Sequence, residues 1–301
     1  MSCNASRSGW LGAALLCALA GLVPAHAQDA ASLQARYATL REALGNNPFQ
    51  RPLYLESRED SGDLQGDVYA RIEQPFGVVV PALQGMEQWC DILILHLNVK
   101  RCRAVPAAAG DTLSLNIGRK FDQPLADAYL FEFRYQVAPP QPDYLRVVLS
   151  AAEGPLGTSR YRIVLEVVPL DAGRSFLHLS YAYAQGTAAR WATQFYLTTV
   201  GRAKVGFTIV GRRANGQPIY IGSTRGVIER NAMRCYLAIE AHLGALSAPA
   251  AERREQRLND WFAASERYPV QLHEIERGEY LQMKRMEIQR QQTLASAAGG
   301  R

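Results

Sequence analysis

The chain is poor in the patterns by which catalytic and metal centres are usually recognised. Its 301 residues hold only five cysteines and five histidines. There is no paired C-x2-C spacing for zinc, no H-E-x-x-H helix and no C-x-x-C-H haem motif. No G-x-S-x-G elbow supplies a hydrolase nucleophile. The glycines Gly154, Gly157 and Gly216 sit in turn contexts rather than in a G-x-G-x-x-G phosphate cradle. No catalytic residue, metal or cofactor is therefore expected from motif alone, although catalytic groups can converge from distant segments. No internal repeat of about 20–50 residues is present.

Long apolar runs are also scarce. Beyond residue 23 no segment approaches the ~18 uninterrupted apolar residues of a membrane span. Net charge is small, +5 from 33 basic and 28 acidic residues with the signs interspersed. That balance calls for no nucleic-acid partner. Its remaining consequence is weak attraction to anionic lipid headgroups, a peripheral membrane contact at most.

What is present begins with an export signal. Residues 1–10 are short and polar with Arg7 as their one charge, residues 11–23 are apolar, and Ala25-His26-Ala27 is a small-x-small cleavage signature. Cleavage near Ala27 leaves 274 residues and a net charge of +4, since the signal carries one arginine and no acid. The expected location is periplasmic or secreted. In an oxidising compartment Cys90 and Cys102, twelve residues apart, suit a disulfide. Cys235 is then the spare, a buried and inert thiol.

Periodicity orders the rest. Leu33, Tyr37, Leu40 and Leu44 mark an N-terminal helix over 31–45, within a segment 28–50. Residues 52–58 form a short strand. Residues 66–74 alternate, with Val68, Ala70 and Ile72 on one face and Asp67, Tyr69, Arg71 and Glu73 on the other, as in a half-buried strand. Two short helices follow at 76–83 and 86–93, then a strand at 96–104. Five more strands, at 111–119, 127–137, 143–151, 160–169 and 174–185, are joined by Pro/Gly/Asp-rich turns and imply an antiparallel meander. His178 lies mid-strand and reads as a half-buried, hydrogen-bonded histidine. A helix is expected at 188–205, a mixed segment with a turn at 214–218, and a long helix at 227–246. On that helix Ile228, Ala232, Cys235, Ile239, His242 and Leu246 share one face. Residues 248–301 read as a charge-rich helical extension broken at Pro269, with disorder from Thr293 onward. Trp261 and Phe262 imply that it docks.

The order of elements, with Asp67-Val-Tyr-Ala-Arg-Ile-Glu-Gln-Pro-Phe followed by Met86-Glu-Gln-Trp-Cys-Asp, resembles the START-related (SRPBCC) superfamily over about residues 52–246. That resemblance implies an α+β helix-grip fold, a curved antiparallel sheet wrapped around a long C-terminal helix, here as a ligand-binding domain over 51–247. The segment 188–222 and the tail after 250 depart from the family pattern. A lipocalin-like barrel is the rival fold, and the two short helices count against it.

The resemblance further implies a cavity between sheet and helix that holds an apolar small molecule or lipid, as in a carrier. Its candidate lining is Phe131, Phe133, Tyr135, Tyr181 and Tyr183 from the sheet and Ile228, Ala232, Ile239 and His242 from the helix. Two other readings stay open. One is a cyclase- or hydrolase-like enzyme using that cavity, and the other is an interaction protein using its helical tail.

Overall fold

The computed structural model of the chain describes residues 29–186 and 204–299. The expected export signal, and all but the last two residues of the helix expected at 188–205, lie outside the described residues.

Eight strands form one antiparallel sheet. They are β1 (Leu53–Asp60), β2 (Asp63–Ile72), β3 (Val99–Val105), β4 (Thr112–Ile117), β5 (Tyr129–Val137), β6 (Leu145–Glu153), β7 (Thr158–Pro169) and β8 (Ser175–Gln185). Their spatial order is β1-β2-β8-β7-β6-β5-β4-β3. The sheet is thus a meander from β3 to β8 whose last strand returns to pair with β2. Between β2 and β3 lie two short helices, α2 (Phe76–Leu83) and α3 (Met86–Leu93). The long helix α4 (Ser223–Gly244) packs along β1, β2 and β8. This is an α+β helix-grip arrangement.

The grip is tight at one point. A Cβ placed on Gly66 of β2 would meet Ala232 Cβ at 3.1 Å and the Ile228 carbonyl oxygen at 3.2 Å. A residue without a side chain lets the helix lie on the strand backbone there. Around it Val68, Leu179, Ile228, Leu237 and Ile239 are fully buried.

The opposite face of the sheet is covered too. Helix α1 (Ala30–Gly45) starts at Asp29, whose side chain accepts from the Ser32 amide at 2.7 Å, an N-cap. Its Leu33, Leu40 and Leu44 pack on Tyr69, Tyr144, Val168 and Phe176. The half-buried reading of β2 is corrected accordingly. Asp67 and Tyr69, assigned by alternation to an outer face, are buried along with Val68 and Ala70 because α1 closes over that face.

The segment before α4 is a hairpin of β9 (Ile209–Arg212) and β10 (Pro218–Tyr220), turned at Gly216 with φ of +81°. Glu229 of α4 ties the chain before it down. Its carboxylate accepts from the Phe207 and Thr208 amides at 2.6 and 2.9 Å, and from the Thr208 and Ser57 hydroxyls at 2.6 Å each.

The C-terminal segment folds as α5 (Arg253–Glu266), α6 (Pro269–Leu272) and α7 (Arg277–Gly299). Trp261 and Tyr280 stack at 5.0 Å inside the main core. Helix α7 covers the edge strand β3, and the Gln291 side chain accepts from the Cys102 amide at 2.8 Å. The helix runs to Gly299, past Thr293, where the sequence suggested disorder. The alanines at 295, 297 and 298 are strong helix formers that let the last turns propagate. Cys90 of α3 and Cys102 of β3 are disulfide-bonded.

Candidate functional site

Where α4 diverges from the sheet, beyond the contact at Gly66, a cavity of about 190 Å³ remains. Strand alternation puts Leu115 and Ile117 of β4, Phe131 and Phe133 of β5, and Tyr161 and Ile163 of β7 on its wall, with Tyr181 of β8 beside them. The aromatic part is continuous. Phe131 meets Phe133 at 4.4 Å and Tyr161 at 4.9 Å between ring centroids, and Tyr161 stacks on Tyr183 at 5.1 Å. Burial pushes the Tyr181 hydroxyl well above its ordinary range, so it stays protonated.

One side of the cavity is polar. His96 and Asn98 come from the turn between α3 and β3, and Asn231 and Cys235 from α4. The Asn98 amide donates to His96 Nδ1 at 3.2 Å, which places the ring proton on Nε2. Burial, then the charges of Arg234, Lys284, Lys120 and Lys100, hold this imidazole well below its usual range. It is therefore a neutral donor near neutral pH. The cations beside it outnumber the acids. Glu274 alone receives Lys120 and Arg234 at 2.8 Å each and Lys204 at 3.3 Å. Burial also pushes the Cys235 thiol up to about 12, which leaves it a thiol and a poor nucleophile.

Of the candidates drawn from sequence, Phe131, Phe133 and Tyr181 do line this cavity. The others are placed elsewhere. Tyr135 donates to the Gln84 carbonyl at 2.7 Å, and Tyr183 backs Tyr161. Ile228 and Ala232 fill the close contact under Gly66, and Ile239 is sealed in the core. His242 faces a separate groove of about 650 Å³ that shares no lining residue with the cavity. There its Nδ1 meets Arg257 Nη1 at 3.1 Å, and burial with the Arg257 charge pushes it down to about 4.

Sequence reasoning missed His96, Asn98 and Asn231. Asn231 was within reach of it, three residues after Ile228 and four before Cys235 on the same helical face. His96 and Asn98 sit in a turn, where no periodicity marks a side chain's direction.

A second polar cluster is buried under α1. His178 bridges two carboxylates, with Nδ1 to Glu166 at 2.8 Å and Nε2 to Asp67 at 2.9 Å. Tyr144 donates to Glu166, and Tyr69 stacks on the His178 ring at 4.3 Å. Burial opposes the charged imidazole, but the hydrogen bonds to Asp67 and Glu166 outweigh it and push His178 up to about 9. The cluster is sealed from solvent and joins the two layers. Among the described residues no group of His, Cys, Asp and Glu is arranged to hold a metal ion.

No protein-family model matches the chain. No curated protein matches its sequence. Among solved structures it is similar to the lipid transfer and protein localization domain of human StarD13, at 11% identity over 54% of this chain and 88% of that one, with a TM-score of 0.34. It is also similar to the Zhui aromatase/cyclase from Streptomyces sp. R1128, at 12% identity over 71% and 94% with a TM-score of 0.32. A third is norcoclaurine synthase from Thalictrum, at 13% identity over 50% and 87% with a TM-score of 0.32.

Proposed function

We propose that this chain is a binding protein for a compact apolar molecule that carries a hydrogen-bond acceptor at one end. The observation that carries this reading is the cavity itself, an aromatic and aliphatic wall facing a neutral His96 that offers one N–H. Its volume of about 190 Å³ is short of the ~300 Å³ at which ordinary small-molecule sites begin. The ligand is then a small ring system, or one end of a longer molecule, rather than a whole lipid. Burying its apolar surface supplies the affinity at ~25 cal/mol per Å². The His96 N–H fixes its orientation, and the excess of nearby cations favours an electron-rich end. No carboxylate lines the cavity among the described residues and Cys235 is held as a thiol, which supports binding over catalysis.

The test is calorimetry with 2-acetylnaphthalene and, as its acceptor-free match, 2-ethylnaphthalene. Binding of the ketone, weakened in His96→Phe and abolished by the cavity-filling Ile163→Trp, is the expected result. Absence of binding by either probe, with no small molecule recovered by native mass spectrometry, would sink the reading.

We further propose that the protein acts outside the cytoplasm. The bonded Cys90–Cys102 pair and the signal-like residues 1–27 support this. N-terminal sequencing of the protein from a periplasmic fraction is expected to begin near Gln28. A retained Met1, with the protein in the cytosolic fraction, would refute it.

A further inference from the structure

The outer face of β3, β4 and β5 carries a second concavity of about 410 Å³, on the opposite side of the sheet from the apolar cavity. Register assembles it. Arg103 pairs with Ser114, which pairs with Glu132; Arg101 pairs with Asn116, which pairs with Leu130. The alternate residues Cys102, Leu113, Leu115, Phe131 and Phe133 point into the core, so these two rows point out.

The rows are rich in donors and poor in acceptors. Arg103 is exposed and Arg101 half-buried, and Arg101 Nε is buried with no hydrogen-bond partner among the described residues. Ser114 is 7% exposed and Asn116 half-buried, and both line the same concavity. Buried polar groups in folded proteins are nearly always satisfied, and the exception at Arg101 Nε calls for an explanation. Arg101 is also held below its ordinary range by burial and by the Arg103 charge beside it. The one carboxylate in the groove, Glu132, stands two strands from Arg103, about 10 Å at ~4.8 Å per strand, and does not pair with it.

We propose that this groove is a binding site for a phosphate-type oxyanion, held by Arg101 and Arg103 with Ser114 and Asn116 completing its hydrogen bonds. Guanidinium forks match the geometry of phosphate oxygens and bind them bidentately. The oxyanion has two natural sources, a free phosphate or the headgroup of an anionic lipid. Leu130, at 56% exposure, lines the groove with Leu125 and Ala126, an apolar shoulder of the kind that sits at a bilayer interface. The lipid source fits that shoulder.

Two arms distinguish the sources. The first titrates inorganic phosphate and glycerol phosphate by NMR or calorimetry. The second sediments the protein with phosphatidylglycerol vesicles and with phosphatidylcholine vesicles. Binding in the phosphatidylglycerol arm alone, or in both arms, is expected, with at least about tenfold loss in Arg101→Met/Arg103→Met. Glu132→Gln is expected to tighten inorganic phosphate about twofold by removing a like charge. Binding of soluble phosphate without vesicles supports the site and assigns the free source. No binding in either arm overturns the proposal. So does binding that the double methionine variant leaves unchanged, or that Arg101→Lys/Arg103→Lys retains in full, since that would be attraction to net charge and not a fork-shaped site. Both arginines lie on the sheet's outer face, and an unchanged melting temperature confirms that the variants fold.

Discussion

Gly66 lies directly beneath Ala232, with 3.1 Å from an added Cβ at 66 to the Ala232 Cβ. The Ile228 carbonyl is 3.2 Å from the same point. This contact sets how closely α4 approaches β2, and so how much of the space between helix and sheet is filled. Gly66→Val is expected to destabilise the fold by about 1–3 kcal/mol through overpacking, read as a lower urea midpoint at constant slope. Gly66→Ala should cost less. A neutral valine variant would show that the helix shifts freely at this point.

The Cys90–Cys102 bond closes a loop of sequence separation 12 between α3 and β3. Both residues belong to the core, next to the edge that α7 covers. Replacing both cysteines with serine is expected to cost roughly 3 kcal/mol by the chain-entropy argument, visible as a drop in melting temperature that dithiothreitol reproduces in the native protein. Cys235 should react slowly with Ellman's reagent in the same native sample at pH 8, because burial holds it up at about 12.

These two features show what the sequence made legible and what it did not. The strands from β3 to β8 could be read because each alternates cleanly and each turn carries Pro, Gly or Asp. The cysteine spacing was enough for the bridge. On the long helix the apolar steps were visible, but its start was placed at 227, whereas Ser223, Thr224 and Arg225 belong to it. Those residues are polar and show no period. The burial of Asp67 and Tyr69 was invisible because it depends on α1, a segment distant in the chain that docks on that face. The cavity was half legible. Alternation pointed to Phe131, Phe133 and Tyr181, whereas the size of the space depends on the Gly66–Ala232 contact and its polar side on a turn.

His178 makes stability depend on pH. Its folded pKa of about 9 exceeds the ~6.5 of an unfolded histidine, so its contribution is fully present below about 6.5 and fades as pH rises toward 9. Lys284 acts in the opposite sense above about 8, where burial has pushed its own pKa. His96 and His242, both held low by burial, also act in the opposite sense up to about pH 7.5, where an unfolded histidine has nearly finished titrating, so the clean window is about pH 7.5 to 8. Urea unfolding across it should show wild-type stability falling with pH and the slope disappearing in His178→Gln. The variant should be destabilised at pH 6.5, because Asp67 and Glu166 then lose the imidazolium between them and keep only Arg146, 4.0 Å from Glu166. A wild-type curve that is flat or rising across that window would contradict the assignment.

The docking of α7 rests on a buried ion triad. Glu287 accepts from Lys100 on β3 and Lys284 on its own helix at 2.8 Å each, and all three side chains are fully buried. The lysines are otherwise held by backbone carbonyls, Leu97 and Phe121 for Lys100, His96 and Val99 for Lys284. Removing the shared carboxylate leaves two buried ammonium groups against backbone carbonyls and, for Lys100, the Met283 sulfur at 3.4 Å. Glu287→Gln is therefore expected to cost about 3–5 kcal/mol. The loss should concentrate on α7, since β3 keeps its pairing with β4 and its disulfide. Limited trypsin digestion should cut first within 277–290 in the variant and leave the sheet intact. Replacing all three residues with methionine is the decisive contrast. If the triad specifies where α7 docks without stabilising it on balance, the triple variant should be as stable as wild type or more so. If the triple variant loses as much as Glu287→Gln, the three charges are themselves what holds the helix on the edge of the sheet.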